Sequence, residues 1–152
     1  MAKNHLQCIV FDWDESIPNK YVVVLSRWRG KLLLSRHKER DTWETQGGHI
    51  EPGESPEDAA RRELWEESGA QEFTLEPLCM YWASDRVMEP EEDPQRQCSA
   101  YGAVFFADIA RLGPLPESEM AETHAFPTLP ENVTYPAITP KLFQLVQARF
   151  EG

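Results

Sequence analysis

The sequence predicts an α/β (α+β) fold, a mixed β-sheet sandwiched between helices. Three observations lead there. Apolar, β-prone runs stand both before and after a single well-marked helix. That helix, Ser55 to Gly69, carries both a start signal and a stop signal. A second helix follows Thr139-Pro140 near the end of the chain. The length, 152 residues, suits one domain (1–152) with one core.

Taken in order, Leu6 to Trp13 is apolar and β-prone. Lys20 to Trp28 contains Tyr21-Val22-Val23-Val24-Leu25 and reads as a strand. Trp28-Arg29-Gly30-Lys31 is a short turn, and Lys31 to His37 returns as a second strand, so the two form a hairpin. Thr42 to Ile50 is extended around Gly47-Gly48. At the helix, Ser55 is a good N-cap, Pro56 suits the first helical position and Asp58 completes a capping pattern. Gly69 is a natural stop. Phe73 to Ser84 and Ser99 to Ile109 read as strands, with the polar, Pro-containing stretch Asp85–Gln97 as an exposed loop between them. Glu119 to Leu129 is a further strand that ends at Pro130. The last helix places Leu142, Leu145, Val146 and Phe150 along one face.

Composition narrows the function. No apolar run approaches the roughly 18–20 residues that span a bilayer. No apolar signal core follows Met1-Ala2-Lys3-Asn4-His5, so a soluble, cytoplasmic protein is expected. Cys8, Cys79 and Cys98 are odd in number and far apart, which argues for free thiols and against a disulfide framework or a zinc site. The formal net charge of −11 repels nucleic acid and anionic lipid. It also repels a phosphorylated substrate, unless bound divalent cations reverse the field locally.

The helix offers a place for such cations. Glu63, Glu66 and Glu67 stand at i, i+3 and i+4 and crowd onto one face. Like charges there destabilise a helix by about 0.2–0.5 kcal/mol per pair. A bare acidic face of this kind is most often plain solvated surface. Three neighbours weigh against that here. Gly47-Gly48 lets the backbone lie close to a bound group. Arg62, beside Glu63, is able to clamp a carboxylate, and Glu54 lies just before the N-cap, placed for such a pairing. Hard magnesium or manganese ions prefer carboxylate oxygens and keep open positions for phosphate.

The run Gly48, five residues, Glu54, seven residues, then Arg62-Glu63-Leu64-Trp65-Glu66-Glu67-Ser68-Gly69-Ala70 resembles the Nudix box, with a match at every fixed position over residues 48–70. The Trp43-Glu44 lead-in and the Leu129-Pro130 to Tyr135-Pro136 tail look like small MutT-like members. The resemblance implies an α/β/α sandwich and magnesium-dependent hydrolysis, with manganese as a substitute, of a nucleotide or other diphosphate-containing small molecule. It implies Glu63, Glu66 and Glu67 as metal ligands, with the backbone carbonyl of Gly48 a further one, and Arg62 and Glu54 as residues that orient them. Glu66 or a downstream glutamate would accept the proton of the attacking water.

Outside the box, Glu119 is the candidate for a further metal-binding carboxylate, in competition with Glu117 and Glu122. Arg36, at the end of the hairpin, is a candidate phosphate contact, as is the backbone at Gly47. MutT-like proteins usually read Pro-Gly-Gly where this chain has Thr45-Gln46-Gly47-Gly48, and a neighbouring aromatic there contributes to base recognition. The departure counts against a preference for oxidised guanine. Trp43, Tyr81 and Trp82 could stack on a base but are better read as core packing. The leading expectation is cleavage of a (deoxy)nucleoside triphosphate to the monophosphate. Nucleotide sugars and the triphosphate end of RNA are alternatives, as are a non-catalytic nucleotide sensor and a prenyl diphosphate isomerase of the same fold. Many relatives are homodimers, while the sequence itself is silent on assembly.

Overall fold

The protein is described by a computed structural model over residues 7–84 and 101–147. Eight strands and two helices are formed there: β1 (Gln7–Asp12), β2 (Tyr21–Trp28), β3 (Lys31–His37), β4 (Trp43–Glu44), β5 (Gln46–His49), α1 (Pro56–Ser68), β6 (Ala70–Ser84), β7 (Tyr101–Leu112), β8 (Met120–Phe126) and α2 (Thr139–Gln144). The strands join in one mixed sheet ordered β1-β6-β7-β2-β3-β4, with β5 paired to β2 and β8 to β3. The β2–β7 pair is parallel and the other strand pairs are antiparallel.

Alternation along these strands sorts apolar residues onto two faces. Leu25, Leu32, Leu34, Val104 and Phe106 face Leu142, Phe143 and Val146 at the C-terminal end. Val22, Val24, Leu33, Ala103 and Phe105 face Ala59, Ala60 and Leu64 of α1. Each sheet face thus carries one helix, as the α/β/α expectation requires. No helix among the described residues is long and apolar enough to cross a membrane.

Strand β2 has two different partners on one side. Its second half, Ser26–Trp28, pairs with β3. Its first half, Tyr21–Val24, pairs with β5. Between Leu33 and Ser35 the sheet therefore forks. β3 moves on to pair with β4 on that edge while β8 runs along its other edge, and the Trp43–His49 segment fills the gap.

The hairpin and the central helix form where the sequence places them. Ser55 Oγ accepts the Asp58 N–H, the Asp58 carboxylate accepts the Ser55 N–H, and Gly69 ends α1 in the left-handed conformation. The closing helix differs from expectation. It is short, and Phe143, not Leu145, completes the buried arc with Leu142 and Val146. Leu145 falls beyond the edge of that arc and is 54% exposed. Phe150 and the Asp85–Gln97 loop lie outside the described residues, as does Cys98.

Cys8 and Cys79 are buried free thiols in the α2-side core. Burial pushes the Cys79 thiol up to about 11 and raises that of Cys8, although Lys141 opposes the latter. The thiolate is the reactive form. Iodoacetamide at pH 8 should therefore leave both residues unmodified in the folded protein and label both in denaturant. Peptide mass mapping reads the result, and rapid native labelling of either residue would show that the core is open.

Candidate active site

Helix α1 packs through Ala59, Ala60, Glu63, Leu64 and Ser68, so Glu63 belongs to its buried stripe. Trp65, between the glutamates in sequence, turns out to solvent. Arg62 organises the acidic face. Its Nε and Nη2 donate to the two oxygens of Glu54, at 2.7 and 2.9 Å. Nη2 also donates to the His49 carbonyl at 3.1 Å. Nη1 reaches Glu63 Oε1 at 2.9 Å and Glu66 Oε2 at 3.4 Å. The paired guanidinium holds Glu54 at about 2, well below the ordinary carboxylate range. Arg62 thus binds the loop before the helix and two of the three box glutamates at once.

The double glycine explains how the remaining pieces approach. Gly47 has φ +154, and a Cβ there would lie 2.2 Å from the Val22 carbonyl oxygen. Its N–H donates to Glu67 Oε1 at 2.8 Å. At Gly48 a Cβ would lie 2.7 Å from Glu63 Oε1, so the missing side chain is the space that the Glu63 carboxylate occupies. Burial raises both carboxyls. Arg62 opposes the rise at Glu63, while Glu67 is pushed up to about 8 despite its bond from Gly47, with Glu63, Glu44 and Glu119 adding to the effect.

A second acidic row faces the helix from the strands. Glu44 is buried, and a single Arg40 nitrogen bridges its two oxygens at 3.0 and 3.1 Å. Glu119 is exposed at the start of β8, 3.6 Å from His37 Nε2, and its backbone carbonyl accepts the Lys38 N–H. The charge of Glu119 adds to the rise at both Glu44 and Glu67, so this downstream carboxylate lies on the glutamate side. Arg36 is placed differently. It shares the Leu34 face of β3, donates to Glu122 Oε1 at 2.7 Å and binds the Arg40 carbonyl at 2.9 Å. The next residue, His37, shares the opposite face of β3 with Leu33 and Ser35, and it is the β3 side chain beside Glu119.

The other sequence candidates also find places. Tyr81 and Trp82 are buried in the sheet, and Trp43 packs against Phe126 with ring centroids 5.0 Å apart. Gln46 does not face a base: it is fully buried and bonded within the sheet. Glu44 and Gln46 were missed as site residues by the sequence reading. A signal for them exists, since they alternate on one side of an extended stretch where apolar residues are the rule.

Among the described residues no three His, Cys, Asp or Glu side chains converge as a ready cation cage. The reason lies in the contacts above: Arg62 engages Glu63 and Glu66, and Gly47 engages Glu67. The donor set still fits a hard divalent cation. It is made of oxygens, crowded on one helix face, with Gly48 leaving the space for Glu63.

Two outcomes follow. Gly48→Ala should displace Glu63 and lower the metal-dependent hydrolysis rate by about 10–100-fold, with an unchanged circular dichroism spectrum; full activity would separate Glu63 from the chemistry. The second concerns pH in the metal-free protein. A raised carboxyl pKa means that the folded state holds the proton more tightly than the unfolded chain. Stability from this group therefore falls as pH rises from 4.5 through about 8. Thermal melts should show Glu67→Gln flattening that decline, with a gain at pH 8 on the order of 1 kcal/mol, about 2–4 °C for a chain of this size. An unaltered slope would mean that Glu67 ionises freely.

The NUDIX domain family model matches residues 18–144. A Bacillus subtilis (strain 168) protein named "Putative 8-oxo-dGTP diphosphatase YtkD" is 34% identical over 135 residues, covering 87% of this chain and 77% of that protein. An RNA pyrophosphohydrolase of Photorhabdus laumondii is 42% identical over 60 residues, 40% of this chain and 34% of that one. Among solved structures, a mutant of the Bacillus subtilis pyrophosphohydrolase BsRppH matches with a TM-score of 0.73 and 27% identity, over 95% of this chain and 89% of that chain. An ADP-ribose pyrophosphatase from Streptococcus suis matches with a TM-score of 0.58 and 16% identity over 86% of this chain and 88% of its own, a likeness of fold alone. A family match over most of the chain, joined by a relative 34% identical across most of it, puts the braced glutamate helix in context: the chain belongs to the Nudix family, as a pyrophosphohydrolase.

Proposed function

We propose that the protein cleaves a (deoxy)nucleoside triphosphate to the monophosphate and pyrophosphate, with magnesium as its cation and manganese as a substitute. The observation that carries this is the Glu63–Glu66–Glu67 face, braced by Arg62 and set against Gly47 and Gly48. The substrate class is supported by the relative whose name refers to a deoxynucleoside triphosphate.

In this reading Glu63, Glu66 and Glu67 hold the cation, with the Gly48 carbonyl and Glu119 as further oxygens. When bound, the cation neutralises phosphate oxygens and lowers the pKa of the attacking water. Glu54 and Arg62 keep the carboxylates in place. Glu66, whose side chain is 41% exposed against 12% for Glu63, is the open carboxylate and takes the proton from water. The water oxygen bonds to phosphorus as the anhydride P–O bond breaks. His37, on the glutamate side of β3, is the candidate phosphate contact, in preference to Arg36, which is engaged by Glu122 on the other face.

The triphosphate end of RNA is the second reading, favoured by the matches to RNA pyrophosphohydrolases. The net charge of −11 weighs against a long strand. A substrate panel separates the two. It should contain deoxynucleoside triphosphates, an oxidised guanine triphosphate, a nucleotide sugar and a 5′-triphosphorylated oligoribonucleotide, each with magnesium or manganese and with products resolved. The expected outcome is fastest release of pyrophosphate from a free triphosphate. Glu63→Gln and Glu67→Gln should each lose at least about 100-fold, the upper end of what removal of an outer-shell partner costs. No product from any member of the panel would overturn the catalytic reading.

A further inference from the structure

We propose that Gln46 is a positioning residue for Glu67, acting through Ser35 and Gly47 across the fork in the sheet. The inference rests on the proposed role of Glu67 as a cation ligand. It begins with a cluster of buried polar groups. Where β3 leaves β2, the Leu33 carbonyl and the hydroxyls of Ser26 and Ser35 lie together, with Ser26 Oγ 3.1 Å from the Leu33 carbonyl oxygen. Gln46 enters that gap from β5, where its backbone pairs with Val24. Its Oε1 accepts from Ser26 Oγ at 2.6 Å. Its two Nε2 hydrogens go to the Leu33 carbonyl at 3.2 Å and to Ser35 Oγ at 2.9 Å. A primary amide has two donors and an accepting oxygen, so this side chain is matched to the gap.

The chain of bonds continues to the site. With its lone pair engaged by Gln46, Ser35 Oγ directs its own hydrogen to the Glu67 backbone carbonyl at 2.7 Å. The residue after Gln46, Gly47, donates its N–H to the Glu67 carboxylate at 2.8 Å. Glu67 is therefore held at two points, and both depend on where Gln46 sits. One point fixes the helix backbone and the other fixes the side chain. Gln46 touches neither substrate nor cation in this account. It sets the distance between α1 and the Gly47-Gly48 segment.

Three variants test this. Gln46→Met keeps length and volume and removes all three side-chain bonds. Ser35→Ala removes the link to the Glu67 carbonyl. Ser26→Ala cuts the network at the end away from the helix and reports the structural cost alone. The readouts are manganese binding to the substrate-free protein by electron paramagnetic resonance, kcat and KM with a nucleoside triphosphate, and the melting temperature. Gln46→Met and Ser35→Ala should bind manganese about tenfold more weakly and lose kcat by a similar factor, with KM within about twofold. The double variant should be little worse than either single one, as for members of one network. Ser26→Ala should lower the melting temperature and keep its manganese affinity. Should Gln46→Met fail to fold, Ser35→Ala carries the same test. A folded Gln46→Met or Ser35→Ala that binds manganese as the wild type does overturns the inference, as does a Ser26→Ala that loses affinity equally. A wild type that binds no manganese removes the metal-ligand role of Glu67 as well, and so separates the two failures.

Discussion

On the edge away from β7, strand β2 does not keep one neighbour along its whole length, and much of this molecule follows from that constraint. Its second half belongs to the hairpin with β3 and its first half to β5. A fork in a sheet leaves buried backbone and hydroxyl groups in need of partners, and an unsatisfied one costs about 1–3 kcal/mol. Here the gap is closed by one amide side chain, Gln46, and the closing residue is covalently next to the glycines that approach the glutamate helix. The sheet's local irregularity and the site's geometry are thus one feature seen from two sides. A regular pairing of β2 with β3 alone would leave no place for the Gly47-Gly48 segment.

The helix side obeys a different constraint, charge crowding. Three glutamates within two turns repel one another, and two more acids, Glu44 and Glu119, face them from the strands. Two arginines offset this in the folded chain. Arg62 spans Glu54, Glu63 and Glu66, and Arg40 bridges the oxygens of Glu44. Burial pushes the Glu67 carboxyl up to about 8, and the one backbone N–H from Gly47 opposes that rise only in part. An arrangement of this kind is stable enough to fold yet leaves a deficit of positive charge, and a divalent cation is the species that would fill it.

The parts legible in the sequence are those governed by local chemistry. Ser55, Pro56, Asp58 and Gly69 define α1 through bonds within a few residues of each other, and the spacing of Glu63, Glu66 and Glu67 needs only helical geometry. The brace between Glu54 and Arg62 was readable for the same reason. What escaped depends on long-range pairing. Which face of β3 meets the acids, and so whether Arg36 or His37 lies beside them, is decided by where strands and helices distant in the chain pack against it. The alternation of Glu44 and Gln46 places them on one side of an extended stretch, but that this side is buried follows from the fork, which depends on pairing between distant strands. The Leu145 assignment failed on a smaller matter, a choice between two apolar neighbours on a short helix whose buried arc was taken by Phe143.

The parallel pair at the centre of the sheet has a consequence for how the molecule is made. β2 meets β7 over its full length, and contacts across that pair, such as Arg27 with Asp108, join positions 81 residues apart. Closing so large a loop is entropically slow relative to local hairpins. During synthesis, β2, β3, β5 and α1 all emerge before the strand that covers the open side of β2 exists. An incomplete chain therefore carries a long apolar edge, Val22 to Leu25, with its backbone groups unpaired on the β7 side, the kind of edge that recruits other strands. The glutamate helix lies early in the chain, but the strand that protects its sheet from aggregation arrives late.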